Sequence, residues 1–108
     1  MSYNVETLSY FDKQLKRLVK KYPSLKGEFE RLIKTLTKKP DSGVRMGDSS
    51  YKIRMSIASK GKGKSGGARV ITHVRIVDST VYLLTIYDKS EQENISDERL
   101  SYLLSQIP

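Results

Sequence analysis

The sequence predicts an α+β domain in which an N-terminal strand and a helical hairpin precede an antiparallel β-meander and a short C-terminal helix. Apolar residues recur at helical spacing between residues 11 and 36, alternate with polar residues between 51 and 76, and return to helical spacing after residue 96. A chain of 108 residues can bury one modest core and is too short for two, so residues 1–108 are expected to form a single domain.

The first half of the chain is expected to contain one strand and two helices. Residues 3–8 alternate weakly, which is typical of a short edge strand. Ser9, with Asp12 three residues later, resembles a capping box and predicts the start of the first helix. Pro23 separates this helix from a second one, and the turn signal at residues 40–43 ends the hairpin.

The second half is expected to supply the meander and the last helix. Strands are predicted at residues 51–57, 68–76 and 81–87, and the last is nearly all apolar, which favours a central position in the sheet. Ser96 is the predicted N-cap of the final helix. We expect the helices to cover one face of the sheet and to leave the other face open.

The open face is predicted to be cationic. Alternation along the first two meander strands places five basic or titratable side chains there: Lys52, Arg54, Arg69, His73 and Arg75. The chain carries 20 Lys and Arg against 12 Asp and Glu, a net charge of +8, and residues 49–77 contain seven bases and no acid. This surplus favours a polyanionic partner, and phosphates suit it because Arg binds them bidentately.

Composition argues against several other classes of protein. There is no cysteine and no apolar run near the roughly 20 residues of a membrane span, so we expect a cytoplasmic protein without membrane contact. His73 is the only histidine, which excludes a multi-histidine metal site. Gly63, Lys64 and Ser65 resemble the end of a nucleotide-binding P-loop, but Ala58 occupies the position of its first glycine.

RNA cleavage remains compatible with this inventory, and it requires neither a metal nor a cofactor. The ribose 2′-hydroxyl attacks the adjacent phosphorus once a base removes its proton, and cations offset the charge on the phosphate oxygens. A lysine whose pKa is lowered by neighbouring cations can act as that base.

Two stretches carry a resemblance to a known family. Residues 51–74 read YKIRMSIASKGKGKSGGARVITHV, and residues 83–96 read LLTIYDKSEQENIS. With these stretches and its order of elements, the chain resembles the RelE/HigB-like toxins of bacterial toxin–antitoxin pairs, within the RelE/ParE superfamily. The resemblance implies a RelE-like fold and a metal-independent endoribonuclease that cuts messages on the ribosome. It also implies that translation and growth are inhibited, and that a cognate antitoxin restrains the toxin.

The resemblance also implies roles for individual residues. Lys52 and Arg54 occupy the basic positions of the first meander strand, and Arg69 matches the arginine that holds the scissile phosphate. Lys89 takes the place of a late basic residue, and Tyr87 is the nearest aromatic residue for stacking a base. Which residue is the general base and which the general acid stays open, because the best-known members carry a lysine where Arg54 stands. The residues expected to contact RNA are Lys60, Lys62, Lys64, Arg75, Lys13 and Arg17.

Two other functions stay open. The ParE branch shares this fold and inhibits DNA gyrase, and fold alone does not separate the two activities. A non-catalytic RNA- or ribosome-binding module would also use a basic sheet face.

Overall fold

The computed structural model describes residues 2–61 and 66–108, and its elements follow the predicted order with one strand added. They are β1 (Asn4–Thr7), α1 (Ser9–Lys21), α2 (Leu25–Lys38), β2 (Val44–Gly47), β3 (Ser50–Met55), β4 (Ala68–Arg75), β5 (Thr80–Asp88) and α3 (Asp97–Ser105). The α+β class is therefore confirmed. In the described part of the chain, no helix is both long enough and apolar enough to cross a membrane.

The strands form one mixed sheet in the order β1-β5-β4-β3-β2. β1 runs parallel to β5, and every other pair is antiparallel. All nine residues of β5 are buried, as its apolar sequence predicts for an interior strand.

β2 was not expected from the sequence. It pairs with β3 through a tight turn in which Asp48 and Ser49 both adopt left-handed backbone conformations, with φ of 51° and 58°. Tight hairpin turns of this kind are usually marked by Asn-Gly or Asp-Gly. Because neither turn residue is glycine, the usual signal is missing, and the predicted three-stranded meander gains a fourth strand.

One face of the sheet, called here the hairpin face, packs against α1 and α2. Phe11 and Leu18 of α1 and Leu36 of α2 are fully buried against Val70 and Leu83 of the sheet. The spacing of Phe11, Leu15 and Leu18 places one apolar stripe along α1, so burying this stripe fixes the helix on the sheet.

The opposite face, called here the site face, is partly covered, which corrects the expectation of an open face. Leu103 of α3 packs with Ile71, Leu84 and Ile95 in a second apolar cluster. These residues alternate with those that face the hairpin, so the strands bury apolar side chains on both sides.

The two predicted helix caps have different outcomes. The Ser96 side chain accepts a hydrogen bond of 3.1 Å from the backbone N–H of Arg99, which confirms it as the N-cap of α3. The prediction for Ser9 is wrong, because Leu8 is the N-cap residue of α1 and Ser9 is already helical.

Candidate functional site

Three side chains on the site face form a row across three adjacent strands. In the strand register, Arg54 of β3 lies opposite Arg69 of β4, and Arg69 lies opposite Tyr87 of β5. Directly opposed residues point to the same face, with Cβ atoms about 4.5–5.5 Å apart. Lys52 precedes Arg54 by two residues on the same face and lies opposite Ile71. The fold thus brings Lys52, Arg54, Arg69 and Tyr87 together, and we call them the cationic row.

The members of the cationic row differ in exposure. Arg54 is exposed and Lys52 is half-buried, whereas Arg69 and Tyr87 are only 5% and 3% exposed. Arg69 Nη1 donates a hydrogen bond of 3.1 Å to the carbonyl of Ala68. Burial raises the pKa of Tyr87, while the Arg69 charge acts in the opposite direction. Tyr87 is therefore a neutral phenol at neutral pH, beside a guanidinium group.

Lys52 has a partner that the sequence did not reveal. Its Nζ donates a hydrogen bond of 2.8 Å to Oδ1 of Asn94, in the segment between β5 and α3. No motif marks Asn94, because the path of this segment over the site face depends on the packing of Ile95 in the second cluster.

Lys60, which is expected from the sequence to contact RNA, is engaged within the protein in this structure. Its Nζ forms an ion pair with the carboxylate of Asp88, where the two side chains are 9% and 0% exposed, and it also donates to Ser90 Oγ at 2.9 Å. Tyr22 donates a hydrogen bond of 2.7 Å to the same carboxylate. Burial alone would raise the pKa of Asp88, but the hydrogen bonds from Lys60, Tyr22 and Ser90 hold it well below its usual range.

The ion pair also anchors the start of the glycine-rich segment between β3 and β4. Lys60 stands at its start, and at its end the carbonyl of Gly67 accepts a hydrogen bond of 3.0 Å from the backbone N–H of Lys89. A Cβ atom on Gly67 would lie 1.9 Å from the carbonyl oxygen of Met55, so only glycine fits there. Both ends of the loop are therefore attached to the end of β5. Lys62 and Lys64 lie outside the described residues.

Lys89 lies beside the cationic row but is engaged elsewhere. Its Nζ is 3.4 Å from Oε1 of Glu93, and its side chain is 29% exposed. Arg75 shares the site face, yet it is six residues beyond Arg69, roughly 20 Å along the strand. Its guanidinium contacts the carbonyl of Pro108. The structure therefore does not bring Arg75 into the cationic row.

A separate basic surface runs along α1. It is lined by Lys13, Lys16, Arg17, Lys20 and Lys21. Arg17 donates to the Glu91 carboxylate at 3.1 Å, and Lys21 donates to the same carboxylate at 3.4 Å. The hydrogen bond from Arg17 is the main reason that the pKa of Glu91 is lowered. Lys13 and Arg17 thus lie on α1, which packs on the hairpin face, and part of the charge of this surface is already matched by Glu91.

The cationic row has the chemistry of a phosphate-binding site. Two guanidinium groups and one ammonium can hold non-bridging phosphate oxygens, and the neutral phenol can donate a hydrogen bond or a proton. Among the described residues, no group of three or more His, Asp or Glu side chains could hold a metal ion.

The fold and this row define a small cationic α+β protein with basic side chains on one sheet face. A family model described as the RelE toxin of the RelE/RelB toxin–antitoxin system matches residues 10–105. The chain therefore belongs to the RelE toxin family. The RelE resemblance is confirmed, whereas its HigB-like branch stays a prediction.

Solved structures show the same fold. A double mutant of the Escherichia coli toxin RelE in the free state aligns with a TM-score of 0.65 and 14% identity over 100% of both chains. A chain of the RelBE2 toxin–antitoxin complex of Mycobacterium tuberculosis aligns with a TM-score of 0.58 and 14% identity, over 82% of this chain and 99% of the matched chain. A conserved hypothetical protein of Helicobacter pylori aligns with a TM-score of 0.54 and 20% identity, over 82% of this chain and 97% of the matched chain. Because these sequence identities are 14–20%, the structural alignments show a shared fold alone.

Proposed function

We propose that this RelE-family toxin is a metal-independent endoribonuclease that cleaves messenger RNA during translation. The observation that carries the proposal is the register that sets Arg54, Arg69 and Tyr87 side by side, with Lys52 one pleat away. Such a row matches the charge that develops on a phosphate during 2′-hydroxyl attack.

The proposed reaction conserves atoms and charge. A base removes the proton of the 2′-hydroxyl, and the 2′ oxygen bonds to phosphorus. Lys52, Arg54 and Arg69 bind the non-bridging oxygens as negative charge builds up. The bond between phosphorus and the 5′ oxygen then breaks, and Tyr87 or Lys89 supplies the proton that this oxygen needs. The products are a 2′,3′-cyclic phosphate and a 5′-hydroxyl end.

The ribosome and an antitoxin are the proposed partners. Contacts between cations and phosphates position an RNA without reading its sequence, so we propose that the ribosome aligns the message in the site. The M. tuberculosis relative is a toxin–antitoxin complex. A cognate antitoxin with an acidic segment would suit this chain, because its net charge is +8.

The proposal is tested by adding the protein to translating ribosomes and mapping message ends, with free RNA in parallel. Removing one oxyanion-binding group typically costs about 10²–10³ in kcat. Arg54→Ala and Arg69→Ala should each lower kcat by about this factor. Because Arg54 is exposed, its replacement by alanine should leave the fold intact. Arg45→Ala is the matched control, because Arg45 is exposed and pairs with Tyr51, whose side chain packs on the hairpin face.

The result also separates the alternatives. Full cleavage by both Arg54→Ala and Arg69→Ala would refute the proposed site. Intact messages with arrested replication would support gyrase inhibition instead. RNA binding that weakens gradually in the variants, with a salt slope and no cut ends, would support a binding module.

A further inference from the structure

Asn94 holds the end of Lys52 in one place. Its Oδ1 accepts hydrogen bonds from Lys52 Nζ at 2.8 Å and from the backbone N–H of Ile95 at 3.0 Å. Because a backbone N–H can only donate, the second bond fixes which end of the amide faces Lys52. The side-chain oxygen of Asn94 is therefore the acceptor for the Lys52 ammonium.

The position of Asn94 is set by packing on the site face. Ile95 is 8% exposed and shares the second apolar cluster with Ile71, the residue opposite Lys52 in the strand register. Gln92 Nε2 donates to the backbone carbonyl of Asn94 at 2.9 Å. Ile95, next to Asn94, thus belongs to the same apolar cluster as the strand neighbour of Lys52, and the packing of this cluster sets the separation of Lys52 and Asn94.

The partner of Lys52 differs from those of other cations near the site. Lys60, Lys89 and Arg17 each pair with a carboxylate. Within residues 2–61 and 66–108, Lys52 forms no ion pair, and its hydrogen-bond partner is a neutral amide. A neutral acceptor orients the ammonium without cancelling its charge, so the charge stays available for a phosphate.

We propose that Asn94 is a positioning residue that directs Lys52 toward the bound phosphate. This inference rests on the proposed function. Lysine has four rotatable side-chain bonds, and holding its ammonium in advance removes an ordering cost from the reaction. The neutrality of Asn94 is as important as its position, because an anion there would compete with the RNA for Lys52.

Two substitutions separate orientation from charge. Asn94→Ala removes the acceptor and keeps the Lys52 charge, whereas Asn94→Asp keeps the shape and adds an anion. Asn94 is exposed, so water can replace its bond to Ile95 and both variants should fold. The matched control is Asn4→Asp, which makes the same charge change on exposed β1 opposite Thr80, roughly 23 Å along β5 from Tyr87. Urea unfolding checks the folded state of each variant.

Cleavage on translating ribosomes and binding of a 2′-O-methylated RNA, which cannot react, provide independent measurements. In cleavage, Asn94→Ala and Asn94→Asp should each lower kcat on the order of 10²-fold. Asn94→Ala should leave KM nearly unchanged, whereas Asn94→Asp should raise KM because it removes one phosphate contact. In binding, Lys52→Ala and Asn94→Asp should each reduce the slope of log K against log salt by about 0.7, the value for one phosphate contact on a single strand. Asn94→Ala and Asn4→Asp should keep the wild-type slope.

The outcomes distinguish this inference from the proposed function. If Lys52→Ala loses cleavage while both Asn94 variants cleave and bind like Asn4→Asp, the positioning role is refuted and the nuclease stands. If Lys52→Ala cleaves normally, the role of Lys52 is refuted and the inference falls with it. If the wild type cuts no RNA, the nuclease proposal fails. The salt slope of Asn94→Asp then decides whether Asn94 keeps Lys52 available to RNA.

Discussion

Replacing Asp88 with alanine is expected to remove a large part of the stability of this domain. The carboxylate is fully buried and accepts hydrogen bonds from Lys60, Tyr22 and Ser90. Its loss would leave the Lys60 ammonium, 9% exposed, without a counter-charge. Breaking a buried pair in this way costs about 3–5 kcal/mol, out of the roughly 5–15 kcal/mol that stabilise a typical domain.

A double-mutant cycle in urea measures the coupling. Lys60→Met and Asp88→Ala are compared with the double variant by their free energies of unfolding. Removing both charges together should cost less than the sum of the single changes, because no unpaired charge then stays buried. If the two changes add within about 0.5 kcal/mol, the pair is not coupled and this account of the network is incorrect.

The same network predicts how the free energy of unfolding depends on pH in acid. The pKa of Asp88 is lowered in the folded state, so the unfolded chain binds its proton at a higher pH than the folded chain does. The stabilisation is fully present above the unfolded value, about 3.9, and is lost as the pH falls toward the folded pKa. The free energy of unfolding of Asp88→Ala should depend less on pH below 4 than that of the wild type.

Two further predictions concern a glycine and the single histidine. Gly67→Ala should lower the free energy of unfolding in urea by about 1–3 kcal/mol, because its Cβ would meet the Met55 carbonyl. The control is Gly27→Ala inside α2, where the added Cβ would have only Arg31 nearby, at 3.7 Å, so this change should be neutral or stabilising. Equal effects of the two changes would contradict this. Burial lowers the pKa of His73, so unfolding free energy should fall as the pH drops below about 6.5, and His73→Gln should flatten that dependence. A wild-type curve that is already flat there would contradict the second prediction.

The element types and the strand faces could be predicted because they depend on local patterns. Alternation along β3 and β4 identified which side chains share a face, and the register then set Arg54 opposite Arg69. The N-cap of α3 was equally local, since Ser96 bonds to the backbone only three residues away. Features of this kind need only the spacing of residues along the chain.

The sequence by itself determined the α+β class, the family resemblance and the cationic face of the meander. Only the tertiary structure decided that β2 joins the sheet, that α3 covers part of the site face, that Lys60 is bound to Asp88, and that Asn94 holds Lys52. The two contacts join residues 28 and 42 positions apart. Such contacts depend on how loops cross a packed core, and no periodic pattern along the chain records that path.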